Sequence, residues 1–153
     1  MSELEIIKRL KEVMKRAEQL NHLQLVVGIP SDENSREEST SITNAELGVI
    51  HEFGVPEKNI PERSFMRSSA SEESQNLSRL AKIKIAECLK CEISAHDAFA
   101  TVGVYLQGKI VDKITDGDFE PNTEATVNRK KSSKPLIDTG QLRGAITYEV
   151  KEK

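Results

Sequence analysis

With 153 residues, the chain has room for one ordinary domain and a single modest core. Its 22 Lys and Arg against 25 Asp and Glu leave a net charge of -3, which excludes the broad basic footprint that duplex nucleic acid requires, and 4% aromatic residues are too few for a stacking platform on single strands. Two cysteines exclude a disulfide scaffold, no apolar run reaches the ~18 residues that span a bilayer, and the opening Met1-Ser2-Glu3-Leu4-Glu5 lacks the basic-then-apolar order of a secretion signal, so cytoplasmic synthesis is expected.

Ser2 and Glu5 have capping-box spacing, and Ile6, Leu10, Val13, Ala17 and Leu20 recur at helical intervals, predicting an amphipathic first helix. The β-branched run from Leu23 to Ile29, ended by Pro30, predicts a buried strand. Residues 31–41 are polar and read as a solvated loop. Thr43 and Glu46 repeat the capping box and open a short helix that closes near Gly54. Pro56 and Pro61 then predict an extended connector.

Beyond Ser69, the spacing of Leu77, Leu80, Ala81, Ile85, Cys88 and Leu89 marks another helix face. Ser94 and Asp97 look like the N-cap of a long helix carrying Ala98, Phe99, Val102, Leu106, Ile110 and Ile114, which Asp116-Gly117 ends. From Asp118 to Lys134 apolar periodicity is almost absent, predicting an exposed, mobile arm. Leu136 to Arg143 predicts a helical turn capped by Asp138 or Thr139. From Ala145 to Val150 the alternation of Ile146, Tyr148 and Val150 with polar residues is that of a half-buried strand. The expected fold class is α+β: three main helices packed on a small, mostly antiparallel sheet, residues 1–153 forming one domain with its arm at 118–134.

The residues with chemical potential are sparse. Cys88 and Cys91 have C-x-x-C spacing, but no second pair stands at matching intervals to complete a zinc site, and Cys88 falls on an apolar helix stripe. His51-Glu52 starts a zincin-like motif that fails where the second histidine should stand, at Val55. Gly103 and Gly108 belong to a helix pattern and are read as points of close packing. No metal, cofactor or catalytic group is expected. Arg129, Lys130, Lys131 and Lys134 form a basic cluster in the arm, diluted by Asp118, Glu120 and Glu124.

More specific are the blocks Asn44-Ala45-Glu46-Leu47-Gly48-Val49-Ile50-His51-Glu52-Phe53-Gly54, then Ile60-Pro61-Glu62-Arg63-Ser64-Phe65-Met66-Arg67, and later Lys134-Pro135-Leu136-Ile137-Asp138-Thr139-Gly140-Gln141-Leu142-Arg143. In this order they resemble the neck and tail-completion proteins of tailed bacteriophages, a virion-morphogenesis group common in prophages, over roughly residues 44 to 150. Ser64 stands where that pattern has a second proline, and Gly144-Ala145 replace a polar pair.

The resemblance implies a non-enzymatic virion component that completes the tail or joins it to the head connector, as one of a ring of identical subunits. Its partners would be other neck, connector and tail-tube proteins and copies of itself; neither membrane nor nucleic acid is expected. It points to His51, Glu52, Phe53, Gly54, Ile60, Pro61, Arg63, Phe65 and Arg67 as interface candidates in the earlier blocks. In the later one it points to Lys134, Pro135, Leu136, Asp138, Thr139, Gly140, Leu142 and Arg143, with Arg129, Lys130 and Lys131 added from the arm. Two rival readings are a small nucleic-acid-binding or regulatory adaptor acting through the basic arm, and a small hydrolase using His51, Glu52 and His96.

Overall fold

The computed structural model describes residues 1–30, 42–122, 124, 128, 134–137 and 140–153. The expected loop at 31–41, and Arg129, Lys130, Lys131, Asp138 and Thr139, lie outside the described residues. The elements run α1 (Glu3–His22), β1 (Leu23–Gly28), α2 (Asn44–Phe53), a 3-10 turn (Pro56–Lys58), α3 (Met66–Glu72), α4 (Ser74–Leu89), α5 (Ala95–Asp116), α6 (Gln141–Gly144) and β2 (Thr147–Glu152). The class is α+β, with β1 and β2 forming a two-stranded antiparallel sheet. The three main helices are α1, α4 and α5, of 20, 16 and 22 residues.

The chain builds two compact units. The first takes Met1–Val26, Glu73–Leu106 and Tyr148–Lys153; the second takes Val27–Glu72 and Gln107–Thr147.

In the first unit, α1 starts at the expected capping box: Ser2 Oγ accepts from the Glu5 amide at 3.3 Å, and the Glu5 carboxylate accepts from the Ser2 amide at 2.6 Å. The helix packs on α4, and Arg16 spans from Glu12, at 3.0 Å, to the carbonyl of Ile93, at 3.2 Å. Cys88, Ala95 and Ala98 form a small buried core with Leu20, Leu23 and Ile93 against it. Cys88 is a core residue, as its place on the stripe predicted, and burial pushes its thiol pKa up against the opposing charge of Arg16. At the sheet, the Lys153 amide donates to the His22 carbonyl at 2.9 Å. A Cβ on Gly103 would sit 2.7 Å from the Tyr148 ring and 2.8 Å from Leu25, so this glycine lets α5 lie directly on the strands. Gly108 has nothing within 4 Å of such a Cβ, which removes the packing role expected of it. Ile6 and Leu10, expected on the buried stripe of α1, are 52% and 59% exposed, because the unit covers only the second half of the helix, where Glu12, Val13, Arg16 and Leu20 are half-buried.

In the second unit, Thr43 and Glu46 cap α2 reciprocally, and α2 packs against α6. Phe65, Ile110, Ile114, Leu136, Leu142 and Ile146 are its buried apolar residues. A Cβ at Gly48 would lie 2.7 Å from Ile29, 3.8 Å from Leu142 and 3.9 Å from Phe65, which places the three on one flank of α2.

Several local expectations need correction. The stretch from Pro56 to Pro61 is not extended: Pro56 opens a 3-10 turn, Asn59 takes a left-handed φ of 54°, and Val55 and Ile60 pair as an antiparallel bridge. Helix begins at Met66 rather than beyond Ser69, and a break at Glu73 separates α3 from α4. The N-cap of α6 is Gly140, at φ 80° and without a side-chain cap, in place of Asp138 or Thr139. The second strand starts at Thr147, since Ala145 still accommodates the end of α6.

Candidate functional site

Glu52 lies one residue before the end of α2 and is 2% exposed. A tight reversal just beyond it brings its partners back. Gly54 adopts φ 69°, and a Cβ there would meet the Glu62 amide at 2.7 Å and the Ile60 carbonyl at 2.9 Å, so the chain reverses too tightly for any side chain. The Val55–Ile60 bridge completes the reversal, and the Arg63 amide donates to the His51 carbonyl at 2.7 Å.

Residues 64–67 are thereby laid across the Glu52 carboxylate. Its Oε1 accepts from the Ser64 hydroxyl at 2.8 Å, the Arg67 amide at 2.9 Å and Arg67 Nε at 3.0 Å. Its Oε2 accepts from the amides of Phe65 and Met66, both at 2.9 Å. The side chain therefore satisfies the first-turn amides of α3 that have no helical acceptor, and its charge meets the positive end of the helix. Burial works to raise the Glu52 pKa, but the amides of Met66 and Arg67, the Ser64 hydroxyl and the Arg67 side chain together hold it below the usual carboxylate range. With both oxygens occupied by donors, Glu52 is arranged as a cap and not as a base open to a substrate.

Arg67 closes this hub from outside. Its Nη2 donates to the Glu52 carbonyl at 2.9 Å and to Glu62 at 2.7 Å, and its guanidinium carbon lies 4.5 Å from the centre of the Phe53 ring. The hydrogen bond to Glu52 is the main reason its pKa is raised. Phe53 and, one turn earlier, Val49 are 57% and 56% exposed, so an apolar pair with a cation on its edge faces outward from α2.

Arg63 points the other way. It is 4% exposed, and its Nε donates to the Glu120 carbonyl at 2.9 Å while Nη2 donates to the Pro121 carbonyl and to Asn122 Oδ1, both at 3.3 Å. Burial pushes its pKa down, the charge of Glu120 opposes this, and a guanidinium stays protonated in either case. Residues 120–122, in the stretch expected to begin a loose arm, are thus fastened to a buried side chain. At the other end, Lys134 donates to the Thr115 carbonyl at 2.6 Å and to Asp116 at 3.1 Å.

The structure brings His51, Glu52, Phe53, Gly54, Ile60, Pro61, Arg63, Phe65 and Arg67 together in one hub, and Leu142 reaches it across Gly48. Leu136 is buried, Arg143 is exposed, and Pro135 and Gly140 are half-buried. Missing from the sequence reading were Ser64, whose hydroxyl serves where a proline was expected, and the Glu120 and Pro121 carbonyls and the Asn122 side-chain oxygen that receive Arg63. Val49, inside the first block, was not among the expected interface residues; its spacing of four from Phe53 was the available signal.

Among the described residues, no group of three or more His, Cys, Asp and Glu is placed to hold a metal ion, and no helix is long and apolar enough to cross a membrane. Comparison with protein-family models, with curated proteins and with solved structures found no match.

Proposed function

We propose that this chain is a structural virion-assembly protein of a phage or prophage, completing the tail or joining it to the head connector as one subunit of a ring. The observation that carries the reading is the use made of the Glu52 hub. The buried Glu52 carboxylate is bonded to the Phe65, Met66 and Arg67 amides and to the side chains of Ser64 and Arg67, which stiffens a turn, and above that turn Val49, Phe53 and Arg67 are offered to solvent. A rigid base under an aromatic and an arginine is what a protein contact needs, since such residues dominate interface energies when they are already held in place. A ring requires that this patch meet a different patch on the next subunit, and the exposed Arg143 lies in the later of the blocks that carry the resemblance.

On this reading the protein performs no catalysis and needs no cofactor, and its partners are neck, connector and tail-tube proteins. The test is complementation of the phage or prophage that encodes it with a Val49→Asp, Phe53→Asp double variant. Both residues are exposed, so the purified variant should keep its circular dichroism and melting temperature, while heads and tails accumulate unjoined. Normal particle yield with that variant would sink the reading. Sequence-dependent, submicromolar DNA binding at about 0.15 M salt that is lost on replacing Arg129, Lys130 and Lys131 would put the adaptor in its place.

A further inference from the structure

The apolar residues of helix α1 lie on one broad arc, of which only the C-terminal half meets its own unit. Val13 and Leu20 are half-buried on the side that meets its own unit, yet no residue of the helix is fully buried. Projected at about 100° per residue, Leu4, Ile7, Leu10 and Met14 lie on the flank of that arc turned away from Val13 and Leu20, and each is between 43% and 64% exposed. Four large apolar side chains on one open helix face form a stripe of the kind that marks an interaction surface.

The charges of α1 say what lies against it. Carboxylates Glu3 and Glu5 occupy the first turn, whereas Lys8, Arg9, Lys11, Lys15 and Arg16 crowd the middle, with Glu12 alone among them. Of these, Glu3, Lys11 and Lys15 border the exposed stripe, and on an identical helix running the opposite way, with Leu4 opposite Met14, Glu3 of each copy falls opposite Lys15 of the other. Running the same way, like charges would face one another. A lipid surface fits less well, because Glu3 and Glu18 project on the same side as Ile7 and Met14, and a carboxylate in the acyl boundary is costly.

We propose that this side of α1 docks antiparallel on the same side of a second copy, giving a two-fold homodimer. The contact lies in the first unit, is distinct from the Val49–Phe53 patch, and does not rest on the neck reading. A 20-residue helix is about 30 Å long. One such face excludes on the order of several hundred Å² per copy, at the low end for a specific interface, so the dimer should be weak.

Sedimentation velocity of the full chain over a concentration series tests this. The expected result is a monomer–dimer equilibrium in the micromolar range. Leu10→Glu with Met14→Glu should abolish the dimer without altering circular dichroism or melting. Lys11→Glu with Lys15→Glu should weaken it at least several-fold, and adding Glu3→Lys should recover part of the loss, which general destabilisation would not do. A monomer at every concentration, with or without binding to anionic vesicles, overturns the proposal. So does an oligomer indifferent to the α1 changes, or a charge swap that recovers nothing.

Discussion

Glu52 and Arg67 are joined at three points: the Arg67 amide and Nε both reach Glu52 Oε1, at 2.9 and 3.0 Å, and Nη2 reaches the Glu52 carbonyl at 2.9 Å. One residue thus binds the other through main chain and side chain at once, and the end of α2 is fixed to the start of α3. The pair is asymmetric in exposure, Glu52 at 3% and Arg67 at 53% of the side chain, so its strength resides in the hydrogen bonds on the carboxylate more than in the exposed charge pair.

Glu52→Ala should cost about 2–4 kcal/mol, the combined loss of a helix cap and of acceptors for buried amides. Glu52→Gln keeps the shape, turns one acceptor into a donor that faces other donors, and should cost about 1–3 kcal/mol. Urea unfolding followed by circular dichroism measures both. A change below about 0.5 kcal/mol for the alanine variant would mean that water replaces the carboxylate at the amides.

Acid should weaken the fold through the same group. The Glu52 carboxyl titrates below the usual range when folded and near 4.3 when unfolded, so the folded state binds fewer protons. Its contribution is complete above the unfolded value and is lost as pH falls through the folded one. The caps Glu5, Glu46 and Asp97 shift in the same direction, held by hydrogen bonds to Ser2, Thr43 and Ser94. Between about pH 5 and pH 3 the unfolding midpoint should therefore drop. The drop should be shallower in Glu52→Gln, and equal slopes would contradict the assignment.

Arg63→Lys should behave almost as badly as Arg63→Met. The bonds to Glu120, Pro121 and Asn122 use two nitrogens of a planar fork, which an ammonium cannot imitate, and the lysine charge would be buried with fewer partners. Hydrogen exchange at residues 118–122 should accelerate at least tenfold in both variants, with a stability loss of about 2–4 kcal/mol. Unchanged exchange would show that the segment is held by something other than Arg63.

Two glycine-to-alanine changes should differ in sign. At Gly54 the left-handed φ and backbone atoms at 2.7–3.0 Å make Ala cost more than about 2 kcal/mol. At Gly108, inside α5 with open space around it, Ala should stabilise by about 0.5–1 kcal/mol. Thermal melting of the two variants decides it.

Range decides what the sequence revealed and what it concealed. The pairs Ser2/Glu5, Thr43/Glu46 and Ser94/Asp97 are three apart, their meaning is settled within one turn, and all three cap helices as read. Helical periodicity likewise located α4 and α5. Glu52 and Arg63 stood out only as parts of motifs, because their partners lie 12–15 and 57–59 residues away and a charged residue near a helix end ordinarily faces water. Pro56 and Pro61 restrict their neighbours without choosing between an extended run and a turn; the left-handed Asn59 and Gly54 make that choice. On α1 the stripe was real, but only its second half meets the core, and a period alone does not say how far along a helix the packing extends.

The two-stranded sheet also sets a timetable. Gln24 and Glu152 are 128 residues apart in the chain and neighbours in the structure. During translation, β1 emerges well before its pairing strand, which is made only after residue 146. Throughout that interval, Leu23, Leu25, Val26 and Val27 present an unpaired strand edge, the feature most prone to stray pairing between chains. Closing so long a loop is slow but adds little to the equilibrium cost, since each doubling of length costs about 0.6 kcal/mol. The nascent chain should therefore be most vulnerable to aggregation in the interval before β2 is complete, and a brake on translation in the last codons before residue 147 should lower soluble yield more than one placed after it.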